Sequence, residues 1–413
     1  MTPRFPLVLV CLSFLAVGCE PSPSNPDAAT LDAGADGGDR VPALGEWIAI
    51  EPGGDTICSR GTPYQFFVRG GRPDRVIIDF QGGGACWNEL TCGFAGAAGL
   101  FTETAGNLET FVAATRPGGP LSGGMLSDAA ENPFRDWTIV HVPYCTGDVH
   151  WGNARTVYGE AGAIEHRGFV NASAALSWTY DHYTAPDNVL VSGCSAGAYG
   201  AVLHSAYIAQ HYAPIDASIA VFADSGAGII TDTFLNDSLP NWNAQANLPS
   251  AFVPGLAVPI TELALPDVYI EIGRTFPDMR LAQTQSQYDQ DQVFFYTAMG
   301  GSAVDWPGRM RGSIDAIRAE IPNFTAYVPG GSVHCSGIYP FFTTRTVGGV
   351  VLSDWVEELA LGATQPLPVL CEGAGCCNDE VCASCAALPA DGRPGYCRFC
   401  DNFPGSWAEC TAP

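Results

Sequence analysis

Basic residues are scarce in this chain: 18 Lys and Arg stand against 43 Asp and Glu over 413 residues, a formal charge of -25. A surface of that sign repels phosphate, which argues against nucleic acid and anionic lipid head groups as partners. Charge of either sign is thin, at 15% of residues against 47% hydrophobic. That balance excludes a chain disordered throughout and is enough for one large buried core with a smaller appendage. The apolar run Leu7 to Leu15 is too short to span a bilayer. There is no internal repeat, and the run Gly82-Gly83-Gly84 is not followed by the G-K-[ST] of a phosphate-binding loop.

The N-terminus reads as an export segment. Arg4 supplies a modest positive region, Leu7 to Leu15 the apolar region, and Ala16-Val17-Gly18 small residues for cleavage. Cys19 directly after Gly18 resembles a bacterial lipobox, in which this cysteine becomes the lipidated first residue of the mature protein; a plain secretory signal is the alternative. Residues 20 to 40, rich in Pro, Ser, Ala, Gly and Asp, have the composition of a disordered tether. The expected organisation is a signal peptide at 1–18, a lipidated cysteine with tether at 19–44, a catalytic domain at 45–365 and a cysteine-rich module at 366–413. The expected location is outside the cytosol, secreted or held to a membrane through Cys19 alone.

Sixteen cysteines in an exported chain favour disulfides over thiols. Beyond Cys11 and Cys19, six (Cys58, Cys86, Cys92, Cys145, Cys194 and Cys335) are spread through the main domain, and eight crowd between Cys371 and Cys410. The C-terminal group includes Cys382-x-x-Cys385 and Cys397-x-x-Cys400, spacing that would suit a zinc ribbon inside a cell. Outside the cytosol four disulfides are the more economical reading, because so short a segment lacks an ordinary core and must be stapled. Its expected role is to bind carbohydrate or a partner, or to serve only as a stabilising tail. No metal and no cofactor is called for.

Short apolar runs alternate with longer helical patterns, the signature of strand-helix-strand units around a mostly parallel sheet flanked by helices. The runs are Val76 to Phe80, Trp137 to Val142, Asn188 to Val191, Ser218 to Phe222, Leu281 to Gln285 and Phe324 to Val328. Arg167 to Tyr183, Ala198 to Tyr212 and Val350 to Leu361 carry helical spacing. Thr231 to Pro266 has no clear period and reads as a cap over a site.

Gly193-Cys194-Ser195-Ala196-Gly197 matches G-x-S-x-G, with a strand before it and a helix after it. That context is what a nucleophile elbow requires, so an α/β-hydrolase-like fold with Ser195 as nucleophile follows. After the strand VIIDF, Gln81-Gly82-Gly83-Gly84-Ala85 resembles the glycine-rich loop of esterases. Backbone N–H groups of Gly83, Gly84 and Ala196 are the candidate oxyanion donors. His334, between the late strand FTAYV and the closing helix, holds the place of the base; among the seven histidines His150 alone has a further claim, as a pocket wall. The acid belongs between Ser195 and His334. Asp289 meets that condition after a late strand, with Asp224 the alternative and Asp291 a third choice. Because Cys194 precedes the nucleophile and Cys335 follows the base, a bond between them would hold both reactive side chains together. Cys86 with Cys92 would then staple the loop beyond the glycines, leaving Cys58 for Cys145.

Taken in order, FQGGGACWNELTC, VSGCSAGAYGAVLH, VFADSG, SQYDQDQ and GSVHC resemble the pectin acetylesterase and Notum family of carboxylesterases over roughly residues 45 to 362. The resemblance implies Ser195, Asp289 and His334 as the catalytic residues and Gly83, Gly84 and Ala196 as oxyanion donors. It departs at Gln81, where family members often carry Glu, and at Gly84-Ala85, where they often carry Trp, positions that border the acyl group. The expected activity is hydrolysis of short-chain acyl esters, foremost acetyl groups on a polysaccharide such as pectin. The alternatives are a non-catalytic carbohydrate- or partner-binding surface lipoprotein, a long-chain acyl deacylase, and a serine amidase on the same fold.

Overall fold

The computed structural model describes residues 40–93, 100–389, 393–400 and Cys410. The export segment, Cys19 and the tether up to residue 39 lie outside the described residues.

Thirteen strands are present among the described residues: β1 (Trp47–Ile50), β2 (Phe66–Arg69), β3 (Arg72–Phe80), β4 (Trp137–Val142), β5 (Ala154–Val157), β6 (Ala163–His166), β7 (Asn188–Cys194), β8 (Ser218–Asp224), β9 (Arg280–Thr284), β10 (Phe324–Val328), β11 (Thr346–Val347), β12 (Val350–Val351) and β13 (Val369–Leu370). Nine of them form one sheet in the order β1-β2-β4-β3-β7-β8-β9-β10-β13, while β5-β6 and β11-β12 are separate hairpins. From β4 to β13 every neighbour is parallel; β1 and β2 add an antiparallel edge. The fold is thus mixed α/β with a mostly parallel sheet, as the alternation of runs and helical patterns implies.

Central strands of such a sheet are covered on both faces and so read as continuous apolar runs. Alternate residues then go to opposite sides. Val76, Ile78, Phe80, Val189 and Val191 pack in one core with Ala172 and Leu176 of the helix Gly168–His182 and with Ala201 and Ile208 of the helix Ala196–Tyr212. Ile77, Ile139, Leu190, Ala220 and Ala282 face a second core closed by Trp355, Val356 and Leu359 of the helix Leu352–Leu361. The chain leaves β3 toward β4 on one side and reaches β7 on the other. This is the reversal point where open α/β sheets place ligands, outside the carboxyl ends of the strands.

The sequence-based spacing is corrected at several boundaries; β7 and β8 run on to Cys194 and Asp224, and the two long helices are Gly168–His182 and Ala196–Tyr212. Val350 and Val351 pair in the β11-β12 hairpin, so the helix expected at Val350 to Leu361 begins at Leu352. The strand expected at Leu281 to Gln285 is Arg280–Thr284. The outer strands β1 and β13 and their short neighbour β2 were not among the expected runs; two to four residues carry too little alternation to stand out.

Candidate active site

Ser195 stands between β7 and the helix Ala196–Tyr212 with φ 57 and ψ -122, a conformation that costs a non-glycine residue about 1–3 kcal/mol. Its neighbours hold it there. Ser195 N–H donates to Asp224 O at 2.8 Å, and a Cβ at Gly197 would lie 1.9 Å from Phe80 O, so only glycine lets the helix start this close to β3. The bend lifts the side chain off the strand end and above the first turn of the helix, whose N–H groups lack intrahelical acceptors. Among the described residues the Ser195 hydroxyl has no hydrogen-bond partner, and catalytic contacts of this kind commonly tighten only around substrate.

The triple-glycine loop comes up against this corner. A Cβ at Gly82 would sit 2.4 Å from Cys194 O and 3.0 Å from Ser195 Cβ, which places the loop backbone directly beside the serine. Its carbonyl and far end are tied elsewhere: Thr102 N–H donates to Gly83 O and Ala85 N–H to Leu100 O. The N–H groups of Gly83, Gly84 and Ala196 have no acceptor among the described residues. Gln81, the departure from the family pattern, accepts from Tyr144 N–H through Oε1 at 3.1 Å, and its carbonyl lies 2.9 Å from His150 Nε2. His150 is buried against Phe80 and Tyr144 and serves the loop from behind.

His334 and Asp289 meet. His334 Nδ1 lies 2.9 Å from both oxygens of Asp289, which is fully buried and also accepts from Gln285 Nε2 at 2.8 Å and from Gln292 N–H at 2.9 Å. With Nδ1–H turned to the carboxylate, Nε2 is left as the acceptor. Burial works against protonation of this imidazole, yet the charge and hydrogen bond of Asp289, joined by Asp291 and Asp224, outweigh it and hold the pKa above the ordinary histidine value. The Cys194–Cys335 disulfide, with a Cα–Cα distance of 5.7 Å, links the residue before Ser195 to the residue after His334. An imidazole nitrogen of His334 lies within 4.8 Å of both sulfurs. Cys86 is bonded to Cys92 and Cys58 to Cys145.

Asp224 does something other than face the imidazole. One oxygen accepts from Ser336 N–H at 2.6 Å and Gly337 N–H at 2.7 Å, while Ser225 Oγ accepts from Cys335 N–H at 2.8 Å. Ser225 and Cys335 both have positive φ, at 60 and 59. The end of β8 therefore clamps the turn after His334. Burial raises the Asp224 pKa to about 6 against the pull of those two N–H groups. Asp291 pairs with Arg398 at 3.2 Å rather than with His334. Gln285, Ser225 and Arg398 had no signal in the sequence, since their relation to the site depends on chain ends brought together only by folding.

Ser195, Gly84, Ala85 and Ala196 line a narrow cavity of about 50 Å³. Its walls are mostly apolar: Val149 and Trp151 from the loop after β4, Tyr199 from the helix Ala196–Tyr212, Phe234, Leu239, Trp242 and Leu265 from the segment read as a cap, and Phe295 and Met299 from the stretch following Asp289.

These features define a class: an α/β-hydrolase-like scaffold with serine, imidazole and carboxylate residues brought to the carboxyl ends of its parallel strands. Residues 50–241 match the family model described as pectinacetylesterase, a range that holds the glycine loop and Ser195 and ends before Asp289 and His334. Pectin acetylesterase 4 of Arabidopsis thaliana is 25% identical over 155 residues, 36% of this chain; the match spans 35% of that relative's length, about a third. The solved structure of the Wnt deacylase Notum from Drosophila shares the fold with a TM-score of 0.56 at 16% identity, covering 76% of this chain and 92% of that one. The resemblance to the pectin acetylesterase and Notum family thus holds both as a pectinacetylesterase domain match and as a shared fold.

Proposed function

We propose that the protein is an exported serine carboxylesterase acting on short-chain acyl esters, foremost acetyl esters of a polysaccharide. The observation that carries this is the Asp289–His334 pair, anchored through Cys194–Cys335 to the residue preceding Ser195, beside a glycine loop with unengaged N–H groups. In this reading Ser195 Oγ attacks the ester carbonyl while His334 Nε2 takes the hydroxyl proton. N–H groups of Gly83, Gly84 and Ala196 receive the charge on the carbonyl oxygen, each worth about 100 to 1,000-fold in rate. The tetrahedral intermediate collapses, the C–O bond to the alcohol breaks, and His334 returns the proton to the leaving alkoxide. Water, deprotonated by the same imidazole, then releases the acid and restores the serine. Asp289 keeps the tautomer and stabilises the imidazolium.

The name of the Arabidopsis relative supports an acetyl group, and the narrowness of the cavity supports a short chain over a long one. The apolar lining favours, as second reading, a longer acyl chain such as a deacylase removes. Nitrophenyl esters from acetate to palmitate separate the two: activity is expected to peak at short chains and to vanish in Ser195→Ala and His334→Ala. Undiminished turnover by Ser195→Ala overturns the mechanism, whereas a palmitate optimum overturns only the acyl length. In the same reading, lipidation at Cys19 tethers a catalytic domain at 45–365.

A further inference from the structure

The cysteine-rich segment was expected to be an appended module, yet it packs on the loop that carries His334. The Cys382–Cys400 and Cys385–Cys397 disulfides fold Gly395–Cys400 against the helix Glu380–Ala386. The product is a small core in which Phe399, Cys385 and Val381 sit with Val333 and Phe341 of the main domain. From it Phe399 reaches the base itself, its ring centroid 5.9 Å from that of His334 in an edge arrangement. Ser332 Oγ donates to Phe399 O, and the Gln290 amide nitrogen, in the orientation that satisfies both its ends, donates to the same carbonyl at 2.8 Å. Arg398 lies over the Phe399 ring at 4.3 Å and pairs with Asp291, two residues beyond Asp289. Deeper in the seam, buried Arg345 bonds Ser336 Oγ and Gly330 O on either side of His334 and faces Asp379 of the segment at 3.5 Å.

We propose that the C-terminal disulfide segment is a built-in part of the active site, with Phe399 and Arg398 acting as positioning residues for His334. Phe399 fixes the imidazole plane and covers it from water, and Arg398 offsets the Asp291 carboxylate near the base. The charged and titratable groups around His334 are Asp289 and Asp291 from the helix start at 289–291, Asp224 from β8, Tyr339 and Arg345 from the stretch following the base, and Arg398 from the segment. The inference rests on the esterase reading, because only there does His334 act as base.

The test uses the full chain and the nitrophenyl ester the wild type turns over best. Phe399→Ala is expected to lower kcat about 10 to 100-fold with little change in KM, and Phe399→Leu to recover most of it. Arg398→Gln is expected to move the acid limb of kcat/KM up by about 0.3 to 0.5 pH units at low ionic strength, and Asp291→Asn to move it down, the double variant returning near wild type. Arg393→Gln removes the same charge from an exposed part of the segment and is expected to change neither. Thermal unfolding checks each variant; should Phe399→Ala fail to fold, half-exposed Arg398 still carries the test. Unchanged kcat and an unmoved acid limb in the folded variants overturn the proposal. Activity surviving in His334→Ala overturns instead the reading beneath it.

Discussion

Asp224, at the end of β8, and Asp289, capping the helix Gln290–Ala298, are both buried carboxylates near His334, and their hydrogen-bond partners separate them. Asp289 faces Nδ1, so Asp289→Asn is expected to lose kcat by about 10,000-fold while leaving the unfolding midpoint almost in place. Asp224 faces two backbone N–H groups, so Asp224→Ala leaves Ser336 and Gly337 unpaired in the interior. The expected cost is about 2–3 kcal/mol in urea unfolding, with a milder loss of rate through the displaced base. The pH profile follows from the same environment. The base works only when neutral, and its pKa is held above 6.5, so kcat/KM should rise with pH through a midpoint above that of an ordinary histidine. An acid-limb midpoint at or below 6.5 in the wild type contradicts this account.

What could be read from the chain alone tracks how local each device is. The elbow around Ser195 and the loop at Gly82–Gly84 are local, since a few residues must combine a bend with close backbone approach, and so both were legible. His334 was legible by order along the chain, but order left Asp289 with Asp224 and Asp291 as rivals, which only the hydrogen bonds of the folded chain set apart. The clamp of β8 on the turn at 335–337 was not, because it joins backbone N–H groups to residues more than a hundred positions away. Likewise the cysteine count announced a stapled C-terminal segment without saying what it packs against. The Cys194–Cys335 bond is the device joining these elements, spanning 141 positions. On the chain-entropy model such a closure contributes about 5 kcal/mol. Replacing Cys194→Ser and Cys335→Ser together is therefore expected to lower the denaturant midpoint strongly, and to lower kcat even where the variant remains folded, as paired urea melts and ester assays would show. Unaltered kcat in the folded double variant would mean the bond only stabilises.

Across the whole molecule, pH acts on stability through buried groups whose charged forms the fold disfavours. His166 donates through Nδ1 to Thr146 O and takes the Tyr158 hydroxyl at Nε2, so both nitrogens are committed to the neutral ring. His204 lies between Phe80 and Phe169 and reaches His150 O, while His150 reaches Gln81 O. Burial depresses the three pKa values to about 4, about 4 and about 3, from 6.5. Because the unfolded chain binds protons that the folded chain refuses, these residues contribute stability that is present above 6.5 and lost as pH falls toward 4. Asp148 and Asp224, raised to about 6 from 3.8, act oppositely: their contribution is present below 3.8 and lost as pH rises through 6. Three displacements of the larger size outweigh two of the smaller, so the unfolding free energy should fall between pH 6.5 and 4. His204→Phe keeps the aromatic stack and removes one refused proton. The slope of unfolding free energy against pH is expected to drop by about one proton in that window. A slope equal to wild type would show that His204 takes up its proton in the folded protein, and the acid sensitivity would have to arise elsewhere.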